Sequence, residues 1–175
     1  MFTYRFSPCN DYTVYPGFPS FTPDPATTNT GTSMHGMTHE ESGDQPGVQQ
    51  CVTFSMSTFA ALLERLHAIP EGDGTVLDNC AIVGFTDVDE GQTHNYLQNE
   101  PGTGLPMIVA GRAGGRLVHP GIHYSSPKQG DAPGETNGRS VSVVPLTLMQ
   151  ALGIEITSWG EGAGKATQVI SELLV

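Results

Sequence analysis

The stretch from Val48 to Thr86 constrains the fold more than any other part of this chain. Val48, Cys51, Val52, Phe59, Leu62, Leu63 and Leu66 recur at helical spacing. The spacing predicts a helix over 48–68, and Pro70 forbids its continuation. Glu71-Gly-Asp-Gly74 then turns the chain. Thr75-Val-Leu-Asp78-Asn79 leads into Cys80-Ala-Ile-Val-Gly-Phe85-Thr86, which reads as a buried strand. Helix, turn and buried strand in that order read as an α/β unit. His67, in the last helical turn, sits where a cation complements the helix dipole.

The strand at 80–86 runs into Asp87, Asp89, Glu90 and His94. In open α/β sheets ligands bind just beyond the carboxyl ends of strands. Asp and His together are good ligands for divalent cations. Asp87, Asp89 and His94 are therefore candidate metal ligands, with a solvated acidic loop as the alternative. The loop is not an EF-hand, because Gly91 takes the fifth position and Gln98 stands where the bidentate glutamate belongs.

His35 and His39 have HxxxH spacing, which on a helix would put both on one face. The glutamate of the HExxH metalloprotease pattern is missing and Gly36 weakens a helix, so a loop metal site and an ordinary polar loop both stay open. His119 and His123 share that spacing, but the intervening Pro120-Gly121 forbids a helical pair. Gly111-Arg-Ala-Gly-Gly-Arg116 follows a strand as phosphate loops do. It lacks a Walker lysine and a following helix, so it reads as a tight turn in which Arg112 and Arg116 could hold an anion. No Gly-x-Ser-x-Gly elbow or papain-like cysteine context places a nucleophile.

Elsewhere, Phe2, Tyr4 and Phe6 alternate with polar residues as in a strand with one buried face, which hints at a preceding segment. Residues 8–47 and 87–104 read as long loops. Pro106–Ala110 reads as a second buried strand, and Arg116-Leu-Val118 could pair back on it as a hairpin. Val143–Leu152 reads as a helix with Pro145 in its first turn and Gly153 as its cap. Ile154–Ile156 reads as extended and 166–175 as a last short helix. No repeat or second domain is evident, so 1–175 reads as a single α/β domain.

With 18 acidic and 7 basic residues the net charge is -11, which disfavours nucleic acid and anionic membrane surfaces as partners. No apolar run is long enough for a transmembrane segment, and Met1–Phe6 lacks the apolar core of a signal peptide. Cys9, Cys51 and Cys80 form no CxxC, which argues against a zinc knuckle. Cys51 and Cys80 lie in apolar contexts and read as buried thiols, and a disulfide involving Cys9 stays open.

Several segments carry a resemblance in their order and spacing. They are Leu62-Leu-Glu-Arg-Leu-His-Ala-Ile-Pro-Glu-Gly-Asp-Gly-Thr-Val-Leu-Asp-Asn79, the strand and acidic loop with His94, Leu105-Pro-Met-Ile-Val-Ala-Gly-Arg-Ala-Gly-Gly115, and Leu148-Met-Gln-Ala-Leu-Gly153. Together, over about residues 30–160, they resemble the carboxyl-terminal part of the bacterial family called domain of unknown function fifteen-fifty-two. That family is similar to the alkaline phosphatase and sulfatase superfamily. The resemblance implies a three-layer α/β/α fold with a mostly parallel sheet, and export to the periplasm or beyond.

It also implies a divalent metal (zinc, calcium or manganese) held by His35 and His39 and by Asp87 or Asp89 with His94. The family often has a second histidine where this chain has Tyr96, and its loop is shorter than the one here through Asn99–Gly104. Relatives are much longer, and this chain resembles roughly their last third. Two expectations follow. One is a truncated domain that acts as a non-catalytic binding or structural subunit with a protein partner or in a homo-oligomer. The other is a metal-dependent phosphoester or sulfoester hydrolase whose half-site is completed elsewhere, with Arg112 holding the ester anion.

Overall fold

The computed structural model describes residues 33–41, 43–86, 105–119, 121–124 and 140–175. The described residues group into two compact units, 33–61 with Thr86, and the remainder from Leu62 onward. The strand expected at Phe2–Phe6, the acidic loop with Asp87, Asp89 and His94, and Cys9 lie outside the described residues.

In the first unit, α1 (Met34–Glu40) precedes the start of α2 (Pro46–His67). Residues 34–40 thus form a helix inside the segment read as loop 8–47. Gly36 does cost about 1 kcal/mol in a helix relative to alanine. That cost is opposed by a well-formed amino terminus, where the Ser33 hydroxyl accepts from the Gly36 N–H at 3.1 Å, and by burial of Met37. α2 matches the predicted helix closely. Pro46 opens it, where a missing N–H costs nothing, and Arg65 and His67 lie in its last turn.

The second unit continues with a tight ribbon, β1 (Pro70–Glu71) against β2 (Gly74–Thr75), and the one-turn helix α3 (Val76–Asn79). Then come β3 (Ile82–Phe85), β4 (Met107–Ala110), a 3-10 turn at Ala113–Gly115, and α4 (Val143–Ala151). Both buried runs read from the sequence are strands, and α4 ends one residue short of the predicted helix, followed by Gly153.

The three-layer α/β/α architecture with a mostly parallel sheet does not form. Among the described residues there are four α-helices and two small sheets, each of two antiparallel strands. β3 pairs with β4 in the register Ile82↔Ala110, Val83↔Val109, Gly84↔Ile108 and Phe85↔Met107. The physical reason lies in element order and burial. Parallel pairing needs a crossover, usually a helix, between the two strands, and a parallel sheet is covered on both faces. Residues 87–104 carry no helical periodicity, and Phe85 and Ile108 are 65% and 45% exposed.

α4 organises the core of this unit. Leu148 and Ala151 bury with Ala113 and Leu117, and Val83 and Val109 pack against them. Val143 and Leu146 bury with Ala166 and Ile170, lined by Tyr124, Ile156 and Val169. The turn after β4 seats on the start of β3, where the Ala113 N–H donates to the Cys80 carbonyl at 2.8 Å. Gly111 makes this possible with φ +90°, since a Cβ there would lie 2.3 Å from that carbonyl oxygen. Residues 116–118 do not fold back on β4. They pair with the chain end, through Val118 N–H to Leu173 O at 3.0 Å and Val175 N–H to Arg116 O at 3.1 Å. The last residues are correspondingly a 3-10 turn (Ser171–Leu173) rather than an α-helix.

One buried hydroxyl joins α4 to this carboxyl-terminal segment. Thr147 Oγ1 donates to the Val143 carbonyl at 2.6 Å and accepts from the Ile170 N–H at 2.9 Å. Thr147→Val keeps the shape but leaves the Ile170 N–H buried without a partner, a loss of about 1–3 kcal/mol. Urea unfolding should show that loss, with Thr147→Ser keeping most of the stability. An unchanged midpoint for Thr147→Val would refute the role given to this bond.

Candidate functional site

The histidine pair sits on α1, and a carboxylate fixes that helix to the next. His35 and His39 lie one helical turn apart, both half-buried, with ring centroids 4.7 Å apart and planes at 76°. Thr38 adds a local tie, its hydroxyl donating to the His35 carbonyl at 2.7 Å. Glu41, which caps the carboxyl end of α1, turns its side chain onto the amino terminus of α2. Its two carboxylate oxygens accept from the Gly47 and Val48 N–H groups at 2.8 and 2.9 Å. Those N–H groups have no partner within the helix, and the positive end of the helix dipole favours an anion there.

Gly47 is required by this close approach. A Cβ on it would lie 2.6 Å from the Met37 sulfur and 3.0 Å from a Glu41 oxygen. Cys51, one turn further along α2, is buried. Its thiol pKa is pushed up, first by burial and then by the Glu41 carboxylate, which lowers its thiolate fraction.

Two imidazoles a turn apart on a helix suit two positions of a zinc-type shell, which needs three or four protein ligands. Among the described residues no group of three or more His, Cys, Asp or Glu side chains is placed to hold a metal. Asp87, Asp89 and His94, the other ligands expected from the sequence, lie outside the described residues.

The two arginines flank the Ala113–Gly115 turn and take structural positions. Arg112 Nη1 stands 3.9 Å from Asp78 Oδ1, a loose pair at a half-exposed site. Arg116 Nη1 donates to the Ala151 carbonyl at 3.1 Å and so caps the carboxyl end of α4. His119 and His123 are both exposed.

Asp78 belongs to a capping box on α3. Its Oδ2 accepts from the Thr75 hydroxyl at 2.8 Å and the Thr75 N–H at 2.9 Å, while the Thr75 hydroxyl accepts from the Asp78 N–H at 3.3 Å. The Thr75 hydroxyl and then the Thr75 N–H hold the Asp78 pKa below its ordinary value. The positive charges of Arg112 and His67 act in the same direction, against partial desolvation.

Sequence reasoning missed both carboxylates as structural groups. Thr75-Val-Leu-Asp78 does carry a capping-box signal, with Asp in the place of the usual Glu. Glu41 carries none, because it reaches α2 from six residues before Gly47, whereas a capping side chain normally belongs to the residue adjoining the helix.

Compared with protein-family models, with curated proteins and with solved structures, the chain matches none.

Two outcomes test these assignments. Glu41→Ala strips the amino terminus of α2 of its acceptor and should cost about 0.5–2 kcal/mol, with Glu41→Gln losing less because one oxygen remains. Circular dichroism melting of both variants checks this, and equal stability of all three proteins would refute it. For Asp78, a depressed folded-state pKa means its contribution is present above the unfolded value. It is lost as pH falls below about 4 and through the lower folded value. Acid titration should therefore show the stability gap between the parent protein and Asp78→Asn narrowing below that pH. A gap that widens toward acid would overturn the assignment.

Proposed function

We propose that this chain is a non-catalytic binding or structural subunit that works within a larger protein assembly. The observation that carries the reading is a mismatch between the composition of β3–β4 and its cover. Ile82, Val83, Phe85, Met107, Ile108, Val109 and Ala110 are all apolar, a composition suited to burial on both faces of a sheet. Alternation along the strands puts Val83 and Val109 on one face and Ile82, Ile108 and Ala110 on the other. Val83 and Val109 pack on the α4 core, and neither core cluster of the described residues includes Ile82, Ile108 or Ala110.

α2 adds to this. It carries no charged side chain from Pro46 to Leu63, and Val52 and Met56 are exposed. The hydroxyls of Thr53, Ser55, Ser57 and Thr58 donate to the carbonyls four residues back, at 2.8–3.0 Å, which removes polar demand from its surface. Apolar surface of this kind marks an interaction site. No helix among the described residues is long and apolar enough to cross a membrane. The occupant proposed is a protein partner or a second copy. The periplasmic or extracellular setting is carried by the sequence resemblance alone, and no family model matches the chain.

Sedimentation velocity on protein recovered from its native source should give a mass above that of one 18.5 kDa chain. Ile108→Glu should return it to the monomer with the melting temperature nearly unchanged. A native-source protein that sediments as a monomer would overturn the reading.

A second reading, a metal-dependent phosphoester or sulfoester hydrolase, is favoured by the juxtaposition of His35 and His39. There Asp87, Asp89 and His94 would complete the ligand set. A divalent metal, when bound, supplies charge stabilisation and an activated nucleophile. The chain's own residues would hold it at the α1 imidazoles. Elemental analysis of the purified protein decides between the readings. The hydrolase requires stoichiometric zinc, calcium or manganese that is lost in His35→Ala, His39→Ala and His94→Ala, and metal-free protein would dismiss it.

A further inference from the structure

We draw no further inference here: the strongest candidate, the uncharged apolar stripe of α2 through Val52, Met56 and Phe59, carries nothing, because nothing in the structure shows what covers it.

Discussion

A ribbon of two strands is marginal in water, so β3–β4 depends on the apolar face it lays against α4. Val83 and Val109 face each other across the ladder and meet the cluster of Ala113, Leu117, Leu148 and Ala151. Full burial of a side chain of this size contributes about 1.5–3 kcal/mol, and the half-buried Val83 and Val109 gain part of that in addition to the net contribution of about 0.5–1.5 kcal/mol from each ladder hydrogen bond. α4 performs the same service on its other side, where Leu146 packs with Ala166 and Ile170. Thr147 lies between the two clusters along the helix and supplies the acceptor that the Ile170 N–H needs once the segment is buried. Among the described residues, the second unit is therefore built around one nine-residue helix that carries two hydrophobic clusters and the buried Thr147 junction.

The first unit rests on a different device. Its helices are joined by the Glu41 carboxylate, which satisfies two N–H groups at the start of α2 and sits above Gly47 and beside Met37. An anion at a helix amino terminus gains from the hydrogen bonds and from the dipole together. The same junction orients α1, and α1 is what brings His35 and His39 within ring contact. The Glu41 carboxylate thus helps set the geometry of the helix that carries His35 and His39.

On β3–β4 the Ile108 side chain is exposed while Ile82 and Ala110 are half-buried, and α2 exposes Val52 and Met56, the apolar surface on which the assembly proposal rests. His35 and His39 stand in ring contact on α1, and the arginines expected to hold an anion instead meet Asp78 and cap α4.

The elements were legible where a single periodicity carried them. The recurrence of Val48, Cys51, Val52, Phe59, Leu62, Leu63 and Leu66, ended by Pro70, is α2, and the apolar runs before Thr86 and after Pro106 are β3 and β4. Such runs state that a segment is extended and apolar, but say nothing of which neighbour it pairs with or in which direction, because hydrogen bonding in a ladder is blind to side chains. Tertiary structure alone decided that β3 and β4 run antiparallel, and that residues 116–118 pair with the chain end rather than with β4. The spacing of His35 and His39 was visible, whereas their proximity required α1, a helix made by the Ser33 cap and Met37 burial against the local cost of Gly36. Local pattern fixes local conformation through nearby sterics and caps. Pairing, clamping and cover depend on contacts between residues far apart in sequence, and only the folded chain brings those together.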